Sequence, residues 1–257
     1  MDDGITSGPG PDRTVAPAGR GSLMVLFWAA VVVSVLGPLL PYGRNLLYPF
    51  ALLGTWAHEL GHGMMAVALG GGFERLELTP DLGGVAYFGG VGRVATAAVA
   101  AGGLLGPAVA GGVVIVLGAR PAAARRLLGV LGVVVLISVV LVVRTTFAMV
   151  AMTLIGVALV AVGLRAPELV RSGLAQLVGV QFCFASWGSL DYMFTQRFER
   201  DGSMIDSDTQ NIADVLLLPY WFWGGLIAAA SAAIVIGAFV RVWGSPPGFR
   251  APVATSG

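Results

Sequence analysis

The stretch Thr55-Trp56-Ala57-His58-Glu59-Leu60-Gly61-His62 places three ionisable side chains in the middle of a long apolar run, residues 46–69. On a helix, His58 and His62 lie one turn apart on the same face, so both imidazoles can bind one metal ion. Glu59 lies about 100° around the helix from His58, where it can reach a water beside the metal without being a ligand. The stretch therefore predicts a helix that carries a metal site with a neighbouring carboxylate.

The composition indicates that a lipid bilayer is the solvent of this chain. Of its 257 residues, 56% are hydrophobic and 11% are charged, whereas soluble domains average about 25% charged residues. The net charge of +1 gives no electrostatic basis for binding nucleic acid. The single cysteine, Cys183, excludes an intramolecular disulfide framework and a cysteine-rich zinc module.

Seven apolar runs approach or exceed the length of about 20 residues that a helix needs to cross a bilayer. They predict an all-α, polytopic helical membrane protein with about seven transmembrane helices. We expect a disordered N-terminal tail in residues 1–21, a membrane-embedded domain in residues 22–240 and a C-terminal tail in residues 241–257. The seven runs are residues 22–40, 46–69, 94–118, 127–143, 145–164, 173–194 and 214–240.

A small β-hairpin is predicted directly after the helix that carries the histidines. Residues 73–78 alternate apolar and polar side chains, residues 79–84 supply turn residues, and residues 85–88 can return as a second strand. An extended edge beside an active site can hold a substrate backbone by strand addition. An ordinary amphipathic loop is the alternative, and this segment alone favours neither.

The depth of the three polar side chains favours metal binding over a packing role. His58 and His62 are the only two histidines of the chain. Glu59 is the only acidic residue well inside the first five apolar runs. An ionisable group at bilayer depth costs at least about 2.5–3.5 kcal/mol, and such groups are functional by default.

A catalytic zinc ion with two histidine ligands needs one more protein ligand, with water in the remaining position. The remaining candidates are carboxylates. Asp191 ends the sixth apolar run and Asp208 opens the seventh, while Glu74, Glu77 and Asp81 belong to the predicted hairpin. N-capping of the last helix is the alternative role for Asp208, and an interfacial charge is the alternative for Asp191.

A HELGH motif in a membrane helix, followed by a hairpin-like segment, resembles the site-2 protease class of intramembrane metalloproteases. The order of features is more similar to the bacterial M50B-like peptidases. The features are the turn Gly71-Gly72, the helix segment Gly103 to Ala108, and a late segment with Ser207-Asp208, Ile212-Ala213, Pro219 and Trp221 or Trp223.

This resemblance covers roughly residues 46–235 and implies that Asp208 is the third zinc ligand. Site-2 proteases carry a Leu-Asp-Gly motif for that ligand, and this chain has Leu190-Asp191-Tyr192 instead. Asp191 therefore remains the alternative third ligand, and Asp208 is favoured.

The predicted function is that of a zinc-dependent intramembrane endopeptidase. Zinc activates a water, and Glu59 accepts its proton as the water attacks a peptide carbonyl. The substrate is expected to be a transmembrane or membrane-adjacent protein, and the chain a multi-pass protein of a bacterial cell membrane. The alternative is a metal-binding membrane protein without hydrolase activity, a zinc transporter or sensor. A transporter should carry polar residues along several helices, whereas here they cluster at one point.

Overall fold

A computed structural model describes residues 19–188, 190–200 and 202–244. Most of the two predicted tails, 1–21 and 241–257, lies outside the described residues. Helices dominate, and four short strands form two hairpins. The elements are α1 (Arg20–Leu36), a 3₁₀ turn (Gly37–Leu39), α2 (Gly43–Ala68), β1 (Gly72–Leu78), β2 (Gly84–Gly89), α3 (Arg93–Gly118), α4 (Pro121–Leu141), α5 (Thr146–Arg165), α6 (Glu168–Gly188), α7 (Leu190–Met193), β3 (Arg197–Arg200), β4 (Ser203–Asp206), α8 (Asp208–Leu216) and α9 (Tyr220–Trp243).

Six helical segments in the described part of the chain are long and apolar enough to cross a membrane. The predicted count of seven is not confirmed, because α2 does not belong to this set. Its 26 residues would extend about 39 Å, but its polar side chains, those of Arg44, Asn45, His58, Glu59 and His62 among them, make it less apolar. The six segments are Gly21–Leu39, Arg93–Gly118, Pro121–Leu141, Thr146–Arg165, Glu168–Met193 and Tyr220–Trp243.

The last predicted run, residues 214–240, is long enough to tilt or to include an interfacial turn, and the structure divides it into the end of α8 and the membrane-length helix α9. α8 ends at Leu216, Leu217 adopts a left-handed backbone with φ 68°, and Pro219 is the N-cap of α9. Proline cannot donate a backbone hydrogen bond, so it separates the two helices at this point. The break leaves α8 as a short helix of its own, and Asp208 is its first residue.

The hairpin predicted after the histidine helix is confirmed. β1 and β2 pair antiparallel, with Leu76 opposite Ala86 and an irregularity between Phe73 and Arg75. The Leu76 N–H donates to the Val142 carbonyl at 2.7 Å, and the Arg144 N–H donates to the Leu76 carbonyl at 3.0 Å. β1 thus has backbone partners on both edges: β2 on one side and the α4–α5 connection on the other.

A second hairpin, β3 with β4, lies in residues 195–213, which the sequence did not predict to be structured. Arg197 pairs with Asp206 in the ladder, and their side chains form an ion pair at 2.6 Å. Gly202 adopts φ 75° in the turn between the strands, a conformation that glycine tolerates without steric cost. This hairpin connects α7 with α8; α7 packs against α9, and α8 packs against α3 and α9.

Small residues allow α2, α3 and α6 to pack closely, as the glycine-rich sequence of α3 predicts. A Cβ added at Gly106 of α3 would lie 2.9 Å from the Ala57 carbonyl oxygen of α2, and one added at Gly61 would collide with the Gly102 carbonyl. On the other side of α2, a Cβ at Gly54 would lie 2.5 Å from that of Ala185 in α6. Close approach of this kind is the usual basis of helix packing in membranes.

A buried side-chain hydrogen bond joins α2 to α4. The indole Nε1 of Trp56, which is 2% exposed, donates to the Ser138 hydroxyl at 2.9 Å. That hydroxyl in turn donates to the Val135 carbonyl at 2.7 Å. A buried donor without an acceptor destabilises the folded protein, because its desolvation is no longer compensated by a hydrogen bond.

Replacing Ser138 with alanine should therefore lower the free energy of unfolding by about 1–3 kcal/mol, because the Trp56 N–H loses its acceptor. Thermal melting of the purified protein in detergent measures the effect. Ser231→Ala is the matched control, because the Ser231 hydroxyl is also buried but has no hydrogen-bond partner among the residues that the structure describes. Equal destabilisation by the two substitutions would contradict the prediction.

Candidate metal centre

Backbone contacts from α3 fix the orientation of His62. Its ring is buried, and its Nδ1 lies 3.0 Å from the Val99 carbonyl oxygen. Since a carbonyl oxygen can only accept a hydrogen bond, Nδ1 carries the proton and its N–H donates a hydrogen bond to the Val99 carbonyl. In the neutral ring this leaves Nε2 without a proton and with its lone pair free for a metal.

Asp208 faces the two histidines from α8. Ser207 caps this helix, and its hydroxyl accepts the Gln210 N–H at 3.2 Å. The capping role considered for Asp208 is thereby taken by its neighbour. The Asp208 carboxylate points instead at His58 and His62, and its Oδ2 lies 3.3 Å from the Nε2 atom of each.

The three atoms form a triangle that fits a tetrahedral zinc ion. The two Nε2 atoms are 3.1 Å apart, and the other two sides are both 3.3 Å. Zinc bonds of about 2.0–2.1 Å at tetrahedral angles put ligand atoms about 3.3 Å apart. Asp208 Oδ2 is buried, and no described residue donates a hydrogen bond to it. Nitrogen lone pairs and a carboxylate oxygen converge here, so a cation is the species that this arrangement can accept.

The electrostatics keep Asp208 in the form that binds metal. Burial alone would raise the pKa of its carboxyl group, but the two neighbouring imidazoles, His62 and His58, hold that pKa below its usual range. The carboxylate therefore stays ionised near neutral pH.

The structure separates Asp208 from the other candidate carboxylates. His58, His62 and Asp208 are grouped so that their ligand atoms lie within 4.8 Å of one another among the described residues. Asp191 lies on α7 and is exposed, outside this group. Glu77 instead pairs with Arg75 on the hairpin at 2.9 Å.

Glu59 lies between α2 and β2, next to the metal-binding triangle but outside it. Its side chain is only 6% exposed. A Cβ added at Gly84 of β2 would lie 2.5 Å from its Oε1 atom, so a larger residue at 84 would displace the carboxylate. The Ala86 backbone amide also interacts with this carboxylate. The hairpin thus holds the acidic side chain beside the histidines.

The register of the hairpin shows which backbone groups of β2 point towards the site. The N–H and carbonyl of Leu76 bond to the α4–α5 connection and so point away from β2. Leu76 and Ala86 are therefore a non-hydrogen-bonded pair, and in such a pair both residues direct their polar groups outward. The Ala86 N–H and carbonyl lie on the outer edge of β2, which agrees with the contact between Ala86 and Glu59.

Two cavities flank the metal-binding triangle. One of about 510 Å³ extends towards α6, where Gln181 and Phe184 line it. Another of about 220 Å³ extends towards α8 and contacts Asp208 and Asn211. The residues that line both cavities are His58, Glu59, Gly84, Tyr192 and Phe198.

Sequence reasoning assigned no role to Tyr192 and Phe198, although both line the cleft. Their rings contact each other edge to face, with centroids 5.4 Å apart. The Tyr192 hydroxyl accepts the backbone N–H of Asp208 at 3.1 Å. Tyr192 immediately follows the alternative ligand Asp191, and this position next to a candidate carboxylate was the one available signal.

A comparison with protein families finds one match that covers most of the chain. The model of a family described as Peptidase M50B-like matches residues 23–238. No curated protein and no solved structure matches the chain.

Gly103 should be required for the position of His62, because a Cβ at residue 103 of α3 would collide with the imidazole ring. Gly103→Ala is expected to lower the affinity for added Zn²⁺ by about 10- to 100-fold, the loss typical when the surroundings of a metal ligand are disturbed. Competition with a chelating dye measures this affinity on purified protein. Gly237→Ala is the control, since a Cβ there meets nothing within 4 Å; equal affinities for Gly103→Ala and the control would refute the steric role.

Proposed function

The chain belongs to the Peptidase M50B-like family, as its motifs predict, and we propose that it is a zinc-dependent endopeptidase that cleaves membrane proteins within or beside the bilayer. One observation carries the proposal. Three ligand atoms converge with sides of 3.1 and 3.3 Å, and a buried carboxylate, Glu59, lies beside them in a cleft. The surrounding helices are long and apolar enough to cross a membrane.

The residues of the triangle and Glu59 divide the hydrolysis between them. His58, His62 and Asp208 would hold zinc, which supplies a water that ionises near neutral pH and an electrophile for the peptide carbonyl. Glu59 accepts the proton that the attacking water loses as its oxygen bonds to the carbonyl carbon. When the C–N bond breaks, Glu59 transfers that proton to the leaving amine.

The outer edge of β2 is the proposed support for the substrate backbone. It offers the Ala86 N–H and carbonyl next to Glu59, and a peptide in extended form can add to such an edge by main-chain hydrogen bonds. A transmembrane substrate would have to unwind locally to bind here, because the carbonyls of an intact helix are bonded within the helix.

A non-hydrolytic zinc transporter or sensor has less support. Transport requires polar groups along a path through several helices. In the described residues, the candidate metal ligands His58, His62 and Asp208 instead lie at one point. Glu59 lies beside them without being a ligand. Hydrolysis requires such a neighbouring carboxylate, whereas transport does not.

The proposal predicts that Glu59→Gln retains stoichiometric zinc and loses at least 99% of its peptidase activity, because the amide binds no proton in the attack. Elemental analysis measures zinc. Cleavage is measured in proteoliposomes that contain a pool of single-span peptides, with new termini identified by mass spectrometry. Undiminished cleavage by Glu59→Gln would refute the mechanism, and zinc flux without cleavage by the wild type would favour a transporter.

A second pair of variants tests the ligand assignment. Asp208→Asn should lose most of the bound zinc, since a neutral amide replaces an ionised ligand. Asp191→Asn should keep zinc at the wild-type level, because Asp191 is exposed and outside the group. The reverse result would make Asp191 the third ligand.

A further inference from the structure

Tyr192 is one of the residues that line both cavities of the cleft, together with His58 and Glu59. The centroid of its ring is 6.4 Å from that of the His58 imidazole. In the proposed function, the scissile peptide bond has to reach the metal-binding triangle and Glu59 together, so it must lie beside the residues that line both cavities.

The hydrogen bonding of Tyr192 determines which groups can receive its hydroxyl hydrogen. Its oxygen accepts the backbone N–H of Asp208 at 3.1 Å, which orients the phenol, and a phenol has one further donor hydrogen. The Asp208 carboxylate is one acceptor near this hydrogen. A carboxylate that shares its charge with a metal ion is a weaker acceptor than a full negative charge that develops on a substrate oxygen.

Other polar side chains of the cleft are less well placed to stabilise that charge. The Thr55 hydroxyl donates to the Leu82 carbonyl at 3.0 Å. Gln181 lines only the larger cavity and Asn211 only the smaller one. Tyr192 is the neutral side-chain donor, among the residues described, that borders both cavities.

We propose that Tyr192 is a catalytic residue whose hydroxyl donates a hydrogen bond to the scissile carbonyl oxygen as it becomes an oxyanion. The inference rests on the proposed peptidase function. Water adds its oxygen to the carbonyl carbon, its proton passes to Glu59, and the carbonyl electron pair moves onto the oxygen that Tyr192 stabilises. Collapse of this species expels the amine with the proton from Glu59, and Tyr192 keeps its own proton throughout.

The test is Tyr192→Phe, which removes one oxygen and leaves the ring against His58 and Phe198. The loss of one such donor typically lowers kcat by about 10²–10³-fold. We expect that loss in turnover per bound zinc on the single-span peptide that the wild type cleaves fastest, with KM changed less than threefold. Normalising to bound zinc removes any contribution from misfolded protein.

Two measurements do not depend on turnover. Zinc affinity, from dye competition, should stay within threefold of the wild type. The affinity of a phosphinic pseudopeptide, whose tetrahedral anion mimics the oxyanion, should fall at least tenfold. Tyr42→Phe is the control, because Tyr42 is 84% exposed and lies outside the cleft.

Each other outcome overturns the inference in a distinct way. A tenfold loss of zinc affinity with unchanged turnover per zinc would make Tyr192 a positioning residue for Asp208 only. Unchanged turnover and unchanged phosphinate binding would leave it no part in the reaction, while the peptidase function would stand. A wild type without zinc-dependent cleavage would refute the proposed function, and the role of Tyr192 with it.

Discussion

The close approach of α2 to α3 is the contact on which the site depends. At Gly61 and Gly106, a side chain would collide with the backbone of the other helix, and at Gly102 it would collide with the Met65 side chain of α2. Only at this separation can the Val99 carbonyl of α3 accept a hydrogen bond from His62 Nδ1. This hydrogen bond directs Nε2 towards His58 and Asp208. The glycines that look like simple packing residues in the sequence therefore determine the chemistry of a side chain on the neighbouring helix.

The polar groups of the site lie in an apolar protein, and each of them has a polar contact with a different structural element. His62 bonds to α3, the backbone of Asp208 bonds to Tyr192, and Glu59 interacts with the hairpin. Buried polar groups without partners would cost several kcal/mol each. The Asp208 oxygen that lacks a hydrogen-bond donor is the exception, and it lies where the three ligand atoms converge.

Patterns that are local in the sequence predicted well. The histidine helix and the first hairpin follow from spacing and alternation, and six of the predicted spans satisfy the length and apolarity of membrane helices. The position of the break at Leu217 and Pro219 was not predicted, because apolar residues lie on both sides of it and hydropathy alone cannot separate α8 from α9. The second hairpin was missed because its strands have only four residues each.

The position of Tyr192 depends on tertiary contacts with α8, which no spacing along the chain encodes. Motif resemblance, and not residue spacing, favoured Asp208 over Asp191.

The tether between β1 and the α4–α5 connection has a consequence for selectivity. It occupies the β1 edge of the hairpin, so a peptide substrate of the proposed peptidase would have one edge to add to, that of β2. Side chains of an extended peptide alternate between two faces with a repeat of about 6.6–6.8 Å. On this edge, one face would look towards the helices behind the cleft and the other away from them. Only every second side chain of a substrate would then contact the protein. Its sequence preference would therefore appear at alternate positions instead of in one contiguous motif.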